Sequence, residues 1–222
     1  QGQPGHTLIL GDSGVGKSTL ADRLSTAAGL EGAVASRVQC YDIEREIPYA
    51  TVAGLVHGLL NRPGASATPP EALAELSRAV PEVRQKFPSI PQPVDSQGET
   101  ARILLTEAFH QLLTALAEEQ PVILTVDDLH LADDASLAVL HLMMRRAVGQ
   151  PIMVIFASRG EGFDQSPQAA RLRESSERLG IRTVELARMT EAESAELLTS
   201  LIPEGEAQPG NAARRALLRA AA

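Results

Sequence analysis

Residues 11–20, Gly-Asp-Ser-Gly-Val-Gly-Lys-Ser-Thr-Leu, place three glycines, an ammonium group and paired hydroxyls directly after the apolar run Thr7-Leu8-Ile9-Leu10. Gly11, Asp12, Ser13, Gly14, Val15, Gly16, Lys17 and Ser18 fit G-x-x-x-x-G-K-[ST] at every specified position. Consecutive backbone N–H groups turned inward make a concave anion nest, and glycine permits the torsions this needs. A helix that begins there points its positive dipole end at the same spot. In that setting Lys17 reaches the β and γ phosphates of a nucleoside triphosphate and the Ser18 hydroxyl ligates Mg²⁺. Thr19 falls beside the α phosphate. A glycine-rich turn that merely joins a strand to a helix need not fit the longer motif at all eight positions.

A phosphate loop alone does not separate ATPases, GTPases and small-molecule kinases. The next candidates are Asp127 and Asp128, which end the apolar run 122–126. An acid at the end of a buried strand beside the phosphate loop can hold the metal's water shell, which is the role expected of Asp127. Asp128 can orient or deprotonate an attacking water. Ser158 and Arg159 end the next apolar run, at the carboxyl edge where open α/β sheets bind ligands, so Arg159 is expected to face the γ phosphate. Lys17, Asp128 and Arg159 form the candidate catalytic set, with Ser18 and Asp127 at the metal. Asp133 and Asp134 read as helix-cap and solvent residues. Arg145 and Arg146 are cations ending a helix, where the dipole favours them; a role in trans on a neighbour's nucleotide stays open. His57 and His130 read as packing or surface residues.

These groups need elements to hold them. The 222 residues are 44% hydrophobic but only 3% aromatic, which suits an α/β domain with an aliphatic core. The expected order is strand 7–10, helix 17–28 closing on Gly29, strand 33–43 and helix 51–60. A proline-rich insertion follows over 62–98, with one helix over 71–80. It reads either as a partner-binding surface or as a disordered insert. A helix from Glu99 to Gln120 has Ile103, Phe109, Leu112, Leu113 and Leu116 at helical spacing. Strand 121–127, helix 134–148 with Gly149 beyond its end, strand 151–159, helix 167–180 and strand 181–189 complete the alternation, which implies a mostly parallel sheet. Thr190 to Glu193 is a capping box that opens a further helix.

Net charge is −8, with 28 acidic against 20 basic side chains, which argues against direct nucleic-acid binding by this segment. The single Cys40 cannot form an internal disulfide, so a cytoplasmic setting is expected. No apolar run approaches the roughly 18 residues of a membrane span, and no secretion signal opens the chain. Both ends read as cuts in a longer protein.

The stretches GDSGVGKSTL, PVILTVDDLHLADDASLAVLHLMMRR and PIMVIFASR, with CYDIEREIPYATVAGLVHGLL, resemble the nucleotide-binding modules of STAND-class ATPases. These are signal-transducing relatives of the AAA+ ATPases, found in large LuxR-type transcriptional regulators. The resemblance covers about residues 7–200. It implies a three-layer α/β P-loop NTPase core with a five-stranded sheet in the order 5-1-4-3-2. It also implies ATP rather than GTP, and the absence of an N-K-x-D motif agrees. Residues 1–189 would form the nucleotide-binding domain and 190–222 the start of a helical lid. The implied partners are ATP and ADP, with self-association or an effector domain in the longer protein.

Two departures stand out. Asp128 is one methylene shorter than the glutamate many AAA+ relatives carry, which favours slow hydrolysis. No adenine-gripping region precedes Thr7, so base affinity is expected to be poor. The leading expectation is a nucleotide-gated switch with slow Mg²⁺-dependent ATP hydrolysis. A small-molecule kinase, drawing on the arginines of RLRESSERLG, and a non-hydrolysing ATP-binding scaffold are the alternatives.

Overall fold

The computed structural model describes residues 5–160 and 167–200. Five strands, β1 (Thr7–Gly11), β2 (Val34–Gln39), β3 (Val122–Asp127), β4 (Ile152–Ser158) and β5 (Arg182–Leu186), pair in parallel. Their order, β2-β3-β4-β1-β5, is the implied order read from the other edge. β1 is flanked on both sides, so the loop leaving it emerges from the interior of the sheet. The helices are α1 (Lys17–Leu30), α2 (Ala50–Leu59), α3 (Pro70–Leu76), α4 (Glu82–Lys86), α5 (Gly98–Glu119), α6 (Asp134–Arg146), α7 (Pro167–Glu174) and α8 (Glu191–Ser200).

Alternation along each strand divides the sheet into two unlike faces. Leu8, Leu10, Leu124, Val126, Val154 and Phe156 meet apolar residues of α2, α5, α6 and α7 in one continuous aliphatic core. On the other face Ile9, Ile123, Ile155 and Ala157 meet Ala21 of α1 in a much smaller cluster. The central strands are therefore apolar on both sides, as covered parallel strands should be.

Several expected boundaries move. α1 runs past Gly29 to Leu30, and the left-handed cap is Gly32, with φ of 95°. Ala33 N–H then donates to the Ala28 carbonyl at 2.9 Å and Gly32 N–H to the Gly29 carbonyl at 3.1 Å, the paired bonds of a Schellman end. β2 stops at Gln39: the Cys40 N–H makes the last bond to β3, to the Asp127 carbonyl at 3.0 Å, and the chain then turns away through Asp42–Glu44. The helix expected over 167–180 ends at Glu174. Ile103 is 45% exposed. α5, at 22 residues, spans about 33 Å, whereas the strands beneath it span about 20 Å, so its first turns overhang the sheet.

The proline-rich insertion belongs to the core. Leu73, Leu76, Val80, Val83 and Ile90 are buried with α5. The expected helix 71–80 stops at Leu76, where the Ser77 hydroxyl donates back to the Ala74 carbonyl at 2.6 Å, and α4 follows. The buried Glu75 carboxylate accepts from Arg78 Nε at 2.9 Å and from Val94 N–H at 2.5 Å. Arg78 also bonds the Val94 carbonyl, which ties the returning loop of the insertion to α3. At the far end, Thr190 and Glu193 form the expected capping box: Thr190 N–H donates to Glu193 Oε2 at 2.7 Å and Glu193 N–H to Thr190 Oγ1 at 3.2 Å. The rest of the expected lid, 201–222, lies outside the described residues.

Candidate functional site

The carboxyl edge of the sheet collects the candidate residues. In the loop after β1, Gly14 and Gly16 have φ of 82° and 94°, values that L side chains adopt only at a cost. A Cβ at either position would meet nothing within 4 Å, so the hollow above them is open. Gly11 serves close packing instead. A Cβ there would lie 2.5 Å from the Leu186 carbonyl oxygen and 2.9 Å from Val15 Cγ2. Asp12, Ser13, Gly14 and Thr19 are exposed, and Val15, Gly16 and Ser18 half-buried.

Lys17 opens α1 and is only 7% exposed. Its Nζ donates to the Asp12 carbonyl at 2.6 Å, which curls the loop back over its own lysine. Burial pulls the Lys17 pKa below the ordinary lysine value; Asp128 opposes this, Arg159 adds to it, and Asp127 and Asp12 oppose it more weakly. The structure thus brings Lys17, Asp127, Asp128 and Arg159 within electrostatic reach of one another.

Asp127 ends β3 at 1% exposure and has both carboxylate oxygens engaged. Oδ1 accepts the Asp128 N–H at 3.0 Å and Oδ2 accepts Arg37 Nη2 at 2.7 Å. The other nitrogen of that guanidinium, Nη1, lies 2.5 Å from Asp22 Oδ1 on α1. Asp128 leaves the strand in the left-handed region, φ 52° and ψ 43°. Aspartate is among the few non-glycine residues enriched there, so the shorter acid suits this turn. Its Oδ2 accepts Gln39 Nε2 at 3.3 Å. Arg159 follows β4 and is exposed, while Ser158 is fully buried with its hydroxyl donating to the Arg159 carbonyl at 3.2 Å.

Three further residues join the site. Arg37 and Gln39, on β2, reach the two aspartates. His130, expected as packing or surface, is the third. Burial lowers its pKa, Asp128 opposes the shift, and Arg159, Lys17 and Arg45 add to it, so His130 faces the same charges. Its Nδ1 is buried without a hydrogen-bond partner.

Asp133 is a cap, as expected, but it is 2% exposed rather than in solvent. Oδ1 accepts from Ser136 N–H and from Tyr49 N–H, both at 2.8 Å, and Oδ2 accepts from Thr51 N–H at 3.1 Å. One carboxylate therefore caps α6 and secures the start of α2. Asp134 is exposed in the first turn of α6. Arg145 and Arg146 end α6 at the amino edge of the sheet, away from the glycine loop, and Arg146 pairs with Glu107 of α5 at 2.9 Å.

Beside the glycine loop lies a cleft of about 680 Å³, lined by Gly11, Asp12, Arg173, Glu185, Leu186 and Arg188. Arg188 Nε stands 3.7 Å from Asp12 Oδ2 across it. The donor set fits magnesium and phosphate: the Ser18 hydroxyl and Asp127 carboxylate are hard oxygen donors, and the open nest presents backbone N–H groups to an anion.

A parallel sheet in this order, with a glycine loop and buried lysine at one strand end and paired acids at another, defines a P-loop nucleotide-binding core. Residues 1–155 match the AAA ATPase domain family, and the chain belongs to that family, as an AAA+-related P-loop ATPase module. No curated protein matches the chain. Among solved structures, it is similar to the Walker-type ATPase of Pyrococcus abyssi at 17% identity and a TM-score of 0.51, covering 95% of this chain and 57% of that one. It is also similar to a chain of Drosophila ORC bound to DNA at 16% identity and a TM-score of 0.50, covering 89% and 41%. A STAND protein with a tetratricopeptide repeat sensor from Pyrococcus horikoshii matches at 16% identity and a TM-score of 0.46, covering 91% and 24%. The first two likenesses show the fold. This chain spans about half the length, or less, of these solved chains.

Proposed function

We propose that this chain is an ATP-binding switch module with slow Mg²⁺-dependent ATP hydrolysis, working within a larger signalling or transcription-regulating protein. The observation that carries the reading is the open glycine nest with the buried Lys17 facing Asp127, Asp128 and Arg159. Residues 11–19 hold the triphosphate, with Lys17 exchanging its bond to the Asp12 carbonyl for phosphate oxygens. Ser18 and Asp127 hold the metal, which when bound supplies charge neutralisation at the β and γ phosphates. Asp128 orients the attacking water and accepts its proton, and Arg159 contacts the γ phosphate. The cleft beside β5 takes the base and ribose.

Slow turnover follows from two features of Asp128. The side chain is short, and Gln39 already occupies one of its oxygens. Binding that orders the loops, and hydrolysis that releases them, suit a switch. Residues 190–222 begin a lid, and the output is self-association or the release of an effector domain. The acidic balance supports a module that does not itself bind nucleic acid. No helix among the described residues is long and apolar enough to cross a membrane, and the lone buried Cys40 supports a cytoplasmic setting.

Calorimetry with magnesium-ATP tests the phosphate site. Lys17→Ala removes charge-assisted bonds worth roughly 1.5–3 kcal/mol each and is expected to weaken binding at least about tenfold. Undiminished affinity removes Lys17 from the site. The contact between Gln39 and Asp128 favours a second reading, a module that binds ATP without hydrolysing it. Phosphate release decides: the switch reading expects Asp128→Asn to fall below the native rate, and equal background rates in both leave a binder.

A further inference from the structure

Arg37 lies on a half-exposed part of β2, 90 residues from its partner Asp127, and belongs to no phosphate-binding motif. Its pairing partner across the sheet is Thr125, two residues before Asp127, so Arg37, Thr125 and Asp127 share the face covered by α1. From that position one guanidinium reaches carboxylates on two elements. Nη2 bonds Asp127 Oδ2 at 2.7 Å, and Nη1 meets Asp22 Oδ1 at 2.5 Å. Asp22 lies four residues after Ser18, one turn further along the same side of α1. The hydroxyl and the carboxylate expected at the metal thus sit on two elements that Arg37 joins.

The planar fork of a guanidinium fixes the separation of the groups it bridges, which an ammonium does not. Magnesium demands near-ideal octahedral geometry at about 2.0–2.1 Å, so the spacing of its protein oxygens must be set beforehand. Asp127 is also pinned at its second oxygen by the Asp128 N–H at 3.0 Å, which leaves the carboxylate no free rotation. The charges agree with this arrangement. Without Arg37, the Asp22 and Asp127 carboxylates would repel across the gap between α1 and β3, and the buried Asp127 would lose its counter-ion.

We propose that Arg37 is a positioning residue for the divalent metal: it locks the first turns of α1 to the end of β3, and so sets the spacing between Ser18 and Asp127. The inference rests on the reading of those two residues as the metal-holding pair. It makes the magnesium-dependent part of nucleotide affinity depend on Arg37, while the metal-free part depends on the glycine loop and Lys17.

The test measures ATP affinity by calorimetry in magnesium and in EDTA, for the native chain and for Arg37→Met, Arg37→Lys and Asp22→Asn. Residues that orient metal ligands typically contribute about 10–100-fold in metal affinity. Arg37→Met is expected to lose at least about tenfold of the magnesium enhancement, with EDTA affinity within about twofold of native. Arg37→Lys, which can hold one carboxylate but not both, restores part of it. Asp22→Asn keeps the bond to Asp127 and gives an intermediate loss; it carries the test if Arg37→Met does not fold. Native enhancement in Arg37→Met, or in Asp22→Asn when it stands alone, overturns the proposal. ATP binding by the native chain that magnesium does not strengthen overturns both the proposal and the metal reading, and no binding in either buffer removes the phosphate site itself.

Discussion

One face of the sheet carries α2, α5, α6 and α7 over a continuous aliphatic core that also takes in the proline-rich insertion. The other carries α1, with Ala21, over the four buried strand residues Ile9, Ile123, Ile155 and Ala157 and then, toward the carboxyl edge, the charges Asp22, Arg37 and Asp127. The first face supplies most of the buried apolar area and so most of the stabilisation. The second pairs the buried Asp127 with the half-exposed Arg37 and Asp22, and α1 delivers Lys17 and Ser18 to the edge. Most of the buried apolar area and the paired charges of the candidate site thus lie on opposite sides of one sheet.

Three measurements break or sharpen that division. The largest effect is expected at Phe109, fully buried in α5 on the thick face. Phe109→Ala should cost about 3–5 kcal/mol in denaturant unfolding, with unchanged ATP affinity in the folded fraction. A parallel fall in affinity would show that the faces are not separable. Asp133 stands next, between α6 and α2 at the carboxyl end of that same thick face. Losing three bonds to a buried carboxylate, Asp133→Ala should destabilise by about 3 kcal/mol, and Asp133→Asn by less, since its single oxygen retains part of the set. A loss under about 0.5 kcal/mol would make the double cap incidental.

The smallest effect lies at the amino edge. His6 is buried, its Nδ1 accepts the Val154 N–H at 3.1 Å, and burial lowers its pKa from 6.5. The unfolded chain therefore binds a proton more readily than the folded one. The contribution of neutral His6 is fully present above about pH 6.5 and is lost as pH falls through the lowered folded value. Thermal melts of the native chain and His6→Asn should diverge in this way across that window. Identical pH dependence would remove His6 from the account.

The glycine loop, the paired aspartates and the alternating elements were legible because each is written in consecutive residues. Arg37 and Gln39 were not, because an arginine and a glutamine in a strand carry no local mark of partners some 90 residues away. Asp133 showed as a cap, but its second helix came from the packing of Tyr49 and Thr51 against it. The insertion misled for the opposite reason. Its prolines advertise irregularity, while its buried residues Leu73, Leu76, Val80, Val83 and Ile90 keep helix-like spacings across two short helices and the turns between and after them. The strand order follows from the pairing itself.

Asp133 has one more consequence. The connection after β3, which contains Asp128 and His130, and the connection after β2, which ends at Tyr49, hang from the same pair of oxygens. They are mechanically one piece. Any tug on the acidic turn is handed to the neighbouring crossover through Asp133, seconded by Ser136 Oγ, which accepts the Val52 N–H at 3.0 Å, so the two must travel together or the anchor must let go.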